Sequence, residues 1–589
     1  MSYFDDASLV MIPSGYKDQK VYSVKPIDGS GDLTFSRASN ATRVNSSGLV
    51  EKVRTNNVLD SQDFTSGWTN GNVTISTSAT ANPVDGQLTA QDIIPNTSLS
   101  VHRILRTAGF ANSINTWSIY AKAKGYDFIT LVENGNTGAN VSFNLSTGAV
   151  SQQNSAAGQI QSLGGGWYRC SMIVACGNTP RFDVYVSPTD SLAAYSGDGT
   201  SGVILFGAQA EQSDFGPTPY IATTSAAVSV GPVSGLPRLD YSGGASCPSL
   251  LLEPQRTNLV RFSEQFDNSA WLKLAAASIS ANQTTSPDGY TNADNITWTA
   301  SGASTQLYQV NSTSGTSQTL SLFIKYISGS GTGFRLSVGS DIQFGINLEF
   351  SNGGATLTGT AGVNVTSYKI EDYGNNWFRV SVVAAYSAAS TEYNLYRYSG
   401  TGTDVYAIWG AQLESASAAY ATSYIPTLSS AVTRVVDAMY KNNYACGITT
   451  EATIFAEFEY QKTDSGYSTP FLIYNGSAGR YLYLTVLSNS IRALCVSEGS
   501  LQSTIVLAGT TAGTRYKVAA RFKTNDFAMY VNGTLVGTDT SGTLSAFSDS
   551  GTNVAIGTDT SLSEPVGYLH QVVIIPSALP NADLATLTA

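Results

Sequence analysis

The sequence predicts an all-β protein: two tandem jelly-roll β-sandwiches followed by a third β-sandwich. Three observations carry this expectation. The 589 residues include 55 Gly and 32 Tyr, aromatics reach 10 %, and only 12 % are charged. That profile suits sheets joined by many turns, and 42 % hydrophobic residues argue against disorder. A module of about 170 residues occurs twice. After it, the chain carries a further series of short alternating segments.

The repeat is clearest in FGAQAEQSDFGPTPYIAT at 206–223 and WGAQLESASAAYATSYIPT at 409–427. Phe206 matches Trp409, and Gly207, Gln209 and Glu211 match Gly410, Gln412 and Glu414. Farther back, Trp167-Tyr168-Arg169 matches Trp377-Phe378-Arg379, and both copies open on RTN, at Arg54 and Arg256. WSIYAKA, FITLVEN, WYRCSMIVA, RFDVYVS and GVILFGAQA alternate apolar and polar residues, with Gly, Asn, Ser and Pro between them. Six of the seven tryptophans fall in matched segments, the pattern of core anchors. The expected order is a segment 1–53, sandwiches at 54–225 and 257–430 joined by 226–256, and a third sandwich at 431–589. In the last, Asn532-Gly533 marks a hairpin.

Lys+Arg 31 against Asp+Glu 42 leaves a charge of −11, which excludes a nucleic-acid binder that works by counterion release. The longest apolar runs, such as QVVII at 571–575, are too short to cross a bilayer as a helix. The start of the chain lacks the basic-then-apolar order of a signal peptide, so synthesis in a cytoplasm is expected. Five cysteines without a CxxC read as reduced thiols. His102 and His570 are the only histidines and lie in different modules, which leaves no material for a His-based metal site or a Ser-His-Asp triad. Neither a metal, a cofactor nor an enzymatic activity is expected.

A saccharide needs aromatic platforms beside amide or carboxylate hydrogen-bonders. RFDVYVS at 181–187 matches EYNLYRYS at 392–399, so Asp183 and Tyr185 share one strand face, as do Asn394 and Tyr396. These four are the candidate carbohydrate-binding residues; the alternative is an ordinary solvated face.

The pattern YKVAARF, MYVNGTLVG, VAIG, GYLHQVVI and DLATL across 431–589 resembles the concanavalin A-like and laminin G-like sandwiches, and the tandem modules look like carbohydrate-binding modules. Relatives of the former include glycan-binding domains and glycanases. Retaining glycanases need two carboxylates about 5 Å apart. Their E-x-D-x-x-E signature is absent, but Glu457 and Glu459 share a face. The segments IPSGYK…KVYSVKPIDGSGDLTFSRASNATRVNSSGLVE and PRLDYSGGASCPSLLLEPQRTNLV resemble two pieces of a sequence common in tailed-phage head spikes, head fibres and tail fibres. Such proteins occur especially in phages of Bacteroidetes, including crAss-like phages. The resemblance implies a virion protein anchored by its N-terminus, with Tyr16, Arg37 and Arg43 as candidate attachment residues. It implies capsid or other virion partners, bacterial surface glycans as ligands, and a homodimer or homotrimer. Head fibre is the first expectation; a tail fibre and a depolymerase using the C-terminal sandwich are the alternatives.

Overall fold

The computed structural model describes residues 3–589 except 275–276, 302–304, 314–315, 339–342, 352, 363, 416–419, 462–466, 548–550 and 558–564. The chain forms two compact units: Val53–Gly231, and Met1–Lys52 together with Pro232–Ala589.

The unit Val53–Gly231 is one jelly roll of two six-stranded sheets. The first runs in the order Ala157–Gly164, Trp167–Ala175, Ile114–Lys124, Gly202–Glu211, Gln91–Pro95, Val73–Thr77. The second runs Ala149–Asn154, Asn140–Asn144, Phe128–Glu133, Arg181–Ser187, Arg103–Thr107, Thr69–Gly71. Trp117, Ile119, Leu131, Phe182 and Leu205 fill the space between them, all without solvent exposure. The second copy, in the other unit, repeats both strand orders. Val365–Asp372, Trp377–Ala384, Gln318–Ser328, Asp404–Ser415, Thr291–Trp298 and Ala277–Thr285 form one sheet. Gly354–Gly362, Phe344–Ser351, Phe334–Val338, Ser390–Arg397, Gln306–Ser312 and Leu272–Lys273 form the other. Its core holds Trp271, Trp298, Phe334 and Tyr406.

The duplicated phrase is a clamp. Gly207 and Gly410 sit at β-bulges with φ of 62° and 64°, a region glycine enters without strain. A Cβ on Gly410 would lie 2.9 Å from Phe323. The next polar residue holds the returning chain: Ile221 N donates to Gln209 Oε1 and Ile425 N to Gln412 Oε1, both at 2.7 Å. Glu211 and Glu414 accept from the backbone N of Thr218 and Thr422 at 2.9 and 3.1 Å. The Asn of RTN closes the seam from the other side. Asn56 Nδ2 donates to the carbonyls of Ala208 and Ile221, and Asn258 Nδ2 to those of Ala411 and Ile425. These repeated residues satisfy buried backbone groups.

The third sandwich departs from the expected linear order. One of its sheets runs Leu239–Asp240, Ser249–Leu252, Gly567–Ile575, Glu451–Tyr460, Arg515–Lys523, Phe527–Val531, Thr534–Asp539, with Leu9–Met11 also paired to Gly567–Ile575. The other runs Tyr16–Lys17, Lys20–Val21, Leu33–Ser36, Ala438–Lys441, Asn553–Ile556, Tyr467–Asn475, Arg480–Leu487, Ser490–Ser497, Ser500–Ala508. Leu9, Met11, Val21, Leu33, Phe35, Leu250 and Leu252 belong to its core. The segment 1–53, expected to anchor the protein to a virion, and the joining segment 226–256 thus both supply strands to this sandwich. Asn532 and Gly533 have φ of 46° and 78°, as the hairpin requires. The helix Asn581–Thr588 follows Pro580.

Candidate functional site

The expected attachment residues are engaged within the chain. The Arg37 side chain is fully buried; it donates to Asp437 at 3.0 Å and to the carbonyls of Ser39, Pro232 and Val233. It belongs to a buried knot in which Asp437 also pairs with Arg238, and Glu253 pairs with Arg238 at 2.7 Å and Arg434 at 2.9 Å. Burial opposes the Glu253 charge, but Arg434, Arg238 and the Ser423 donors outweigh it and hold the carboxyl at about 2. Burial, with Arg238 and Arg434 nearby, lowers Arg37 to about 10 against the pull of Asp437. Arg43 pairs with Glu51 at 2.7 Å and donates to the Tyr16 hydroxyl at 2.9 Å. Arg37 is therefore removed from any contact with an external carboxylate, because the chain supplies Asp437 itself.

Asp183 and Tyr185 do share an outward face, but the carboxylate is filled. Arg181 forks onto it at 2.9 and 3.1 Å, and Arg103 and Asn134 each donate at 3.0 Å. Asp183 is fully buried, whereas the Arg103 and Arg181 side chains keep 24 % and 30 % exposure. The groups offered to solvent are two guanidiniums, one of them 5.2 Å from the Tyr185 ring centre. The expected acceptor is spent inside the face, and donors stand in its place.

In the second copy Asn394 replaces Asp183, and the surroundings change. Arg335, on the neighbouring strand opposite Tyr396, lies 5.5 Å from the Tyr396 ring centre and 4.5 Å from that of Tyr398. Its Nε donates to Asn347 Oδ1 at 2.6 Å. Among the described residues it has no carboxylate within ion-pair distance, and burial lowers its pKa. Asn394 Nδ2 donates to Gln306 Oε1 at 3.0 Å, while Asn394 Oδ1 and the cross-strand Ser337 Oγ are buried without a protein partner among the described residues. Tyrosine therefore recurs with arginine, not with a carboxylate. Arginine comes from one flanking strand in the first copy (Arg103) and from the other in the second (Arg335). Cross-strand partners leave no trace in local spacing, so the sequence pattern missed both.

The two acidic residues weighed for hydrolysis occupy the strand Glu451–Tyr460. Glu457 is paired to Arg515 at 2.8 Å, and Glu459 accepts from Gln461 at 2.7 Å. Both side chains are thus engaged with neighbours of the same sandwich.

Comparison with known proteins follows the same division. No curated protein matches the sequence. Among solved structures, the Ruminococcus gnavus IT-sialidase CBM40 bound to α2,3-sialyllactose is 15 % identical, covering 24 % of this chain and 85 % of its own, with a TM-score of 0.21. A heptameric SAP-like pentraxin from Limulus polyphemus is 18 % identical, covering 24 % and 70 %, with a TM-score of 0.21. The botulinum neurotoxin serotype D binding domain in complex with N-acetylneuraminic acid is 13 % identical, covering 26 % and 39 %, with a TM-score of 0.21. Residues 445–585 match the family described as the concanavalin A-like lectin/glucanases superfamily. The C-terminal sandwich is thus a concanavalin A-like, laminin G-like domain, completed in this chain by short strands within residues 9–36 and 239–252.

Proposed function

We propose that the protein binds glycans by non-covalent contact, without cleaving them, and serves as a fibre or spike of a tailed-phage virion. The observation that carries the glycan reading is Arg335, packed between Tyr396 and Tyr398. A guanidinium without a carboxylate, set among aromatic rings, favours a sugar that brings its own carboxylate. The rings accept the weakly apolar face of the sugar. Several copies per particle would raise a weak single-site affinity through avidity.

The virion reading rests on the resemblance of 11–51 and 237–260 to fibre and spike proteins. Because Arg37 is buried, attachment falls instead to the apolar side chains exposed early in the chain, Phe4, Ile12, Tyr22, Val24 and Ile27, the last 96 % exposed. A head fibre is preferred, since the sequence carries no receptor-cleaving signature.

One experiment addresses both halves. Antibody to the protein should decorate purified particles at the head, and the chain should bind sialylated or uronic-acid glycans on an array. Arg335→Gln should weaken array binding about tenfold, the scale of one charge-assisted hydrogen bond. Undecorated particles would remove the virion reading; unchanged binding by Arg335→Gln would remove the sheet-face site. Release of reducing ends that stops in Glu457→Gln would instead establish a depolymerase.

A further inference from the structure

We propose a second binding site, for an uncharged sugar residue, in a cavity of about 320 Å³ inside the larger unit. It does not depend on the sheet-face reading. The cavity lies over the sheet of the second jelly roll opposite to the one that carries Arg335. Strands Val365–Asp372 and Trp377–Ala384 form one wall, the turn around Thr42–Val50 another, and Tyr568 of the C-terminal sandwich closes the far side.

Its lining is balanced in charge: Arg43, Lys369 and Arg379 against Asp240, Glu253 and Glu371. Most of these charges are already matched. Arg43 pairs with Glu51, Lys369 with Glu371 at 2.8 Å, and Glu253 belongs to the knot. Asp240 accepts from the backbone N of Val44 at 2.8 Å and of Ser242 at 2.9 Å. Arg379 donates to Ser321 Oγ and to the Thr422 carbonyl. An ion entering this space would find no net opposite charge to offset its lost hydration. A polyhydroxyl ligand would find donors, acceptors and rings together.

The aromatic groups point the same way. Tyr373 and Tyr568 line the cavity, and burial raises both phenols far above their ordinary range, so each remains a neutral donor and acceptor. Asp240 and Glu371 act on both of these phenols, which places the four groups around one space. Tyr568 brings its phenol to the lining from the strand Gly567–Ile575. Tyr368 stands half exposed at the mouth.

The duplicate supplies a control. Glu371 opposes Arg379 just as Gln161 opposes Arg169, and Lys369 opposes Ser381 just as Gln159 opposes Ser171. By the same offset Tyr373 stands where the first copy has Leu163 and Tyr368 where it has Gly158. The framework residues were kept and the lining was changed, in the copy whose face is covered.

The test uses the full chain and a panel of neutral probes: methyl glucoside, methyl galactoside, methyl mannoside, N-acetylglucosamine and lactose. Binding is read by saturation-transfer NMR and calorimetry. At least one probe should bind at one site per chain. Tyr568→Phe, which removes a single hydroxyl, should weaken it about tenfold. Ser367→Trp, an exposed substitution at the mouth, should abolish it, and Arg335→Gln should leave it unchanged. The proposal is overturned if no neutral probe binds, if binding survives Ser367→Trp, or if it is lost in Arg335→Gln. The last result would return the neutral sugar to the sheet face and leave the function proposed above standing.

Discussion

His570 shows what burial does to a single side chain in this protein. It lies on the strand Gly567–Ile575, and burial together with the nearby Arg515 pushes its imidazole from 6.5 down to about 4, against the pull of Glu457. The unfolded chain takes up the proton first as pH falls, so this group's contribution to stability is full above about pH 6.5 and is lost as pH drops toward 4. Allowing for solvent screening of a partly exposed ring, the loss is about 1–2 kcal/mol. His570→Gln should flatten the stability curve of the larger unit between pH 6.5 and 4, measured by urea titration at each pH. A variant that tracks the wild type through that window would show that the ring is already charged in the fold. At this scale the packing residues were legible from the repeat. Trp117, Trp271 and Trp409 are fully buried, as their matched positions imply, and so is Trp298, which lies outside the matched segments. The repeat did not reveal Arg103 and Arg335, whose partners sit on adjacent strands, nor the saturation of Asp183 by Arg181, two residues away on its own strand.

Among elements, the informative ones are the shortest. Leu9–Met11, Lys20–Val21 and Leu33–Ser36 are two to four residues long, too short to display an alternating period; the first and last pair with strands more than 400 residues onward, Leu9 with Ile574 and Phe35 with Met439, and Lys20–Val21 pairs with Leu33–Ser36. No local signal could have revealed them, and that is why the opening segment gave no strand expectation of its own. What fastens these elements is the buried knot. Asp437 accepts from Arg37 at 3.0 Å, from Arg238 and from the backbone N of Glu253 at 2.9 Å, so one carboxylate ties three chain segments. Removing it leaves the buried Arg37 guanidinium without a carboxylate, with Arg238 keeping Glu253, and costs about 3–5 kcal/mol. Asp437→Ala should lower the calorimetric transition of the larger unit by several degrees, while the transition of Val53–Gly231 stays in place. If both transitions shift together, or neither does, the knot does not hold the sandwich in the way its geometry implies. Arg37, Arg238 and Glu253, which lie in the segments that resemble fibre proteins, are thus fold-making residues.

Across the whole molecule, the RTN seam explains how a sandwich can carry other sandwiches. In the first copy Arg54–Asn56 pairs antiparallel with Val228–Val230, so the chain enters and leaves that module side by side. In the second, Arg256–Asn258 pairs with Val432–Arg434 in the same manner. Each jelly roll therefore begins and ends at one point, about 5 Å across in a paired ladder. A module with adjoining ends can be inserted without separating the flanking strands, and loop closure adds little cost. The C-terminal domain is accordingly discontinuous: its strands come from residues 9–36, 239–252 and 438–575, interrupted by two insertions. The sequence leads to an expectation of beads in linear order, whereas the strands of the third sandwich come from pieces of chain on both sides of the jelly rolls. Two outcomes follow from this one arrangement. Replacing 53–231 with a short Gly-Ser linker should leave a soluble protein with the cooperative melt of the larger unit, since only a paired seam is cut. Expressing 431–589 alone should yield an aggregating or unfolded chain, because the core that includes Phe458, Met529 and Ile574 would lack Leu9, Met11, Leu33, Phe35, Leu250 and Leu252. Fusing 1–52 by a linker to 232–589 restores every one of those side chains and should recover folding. A fragment 431–589 that folds cooperatively on its own, by circular dichroism and amide exchange, would mean that the short strands decorate the sandwich and do not complete it.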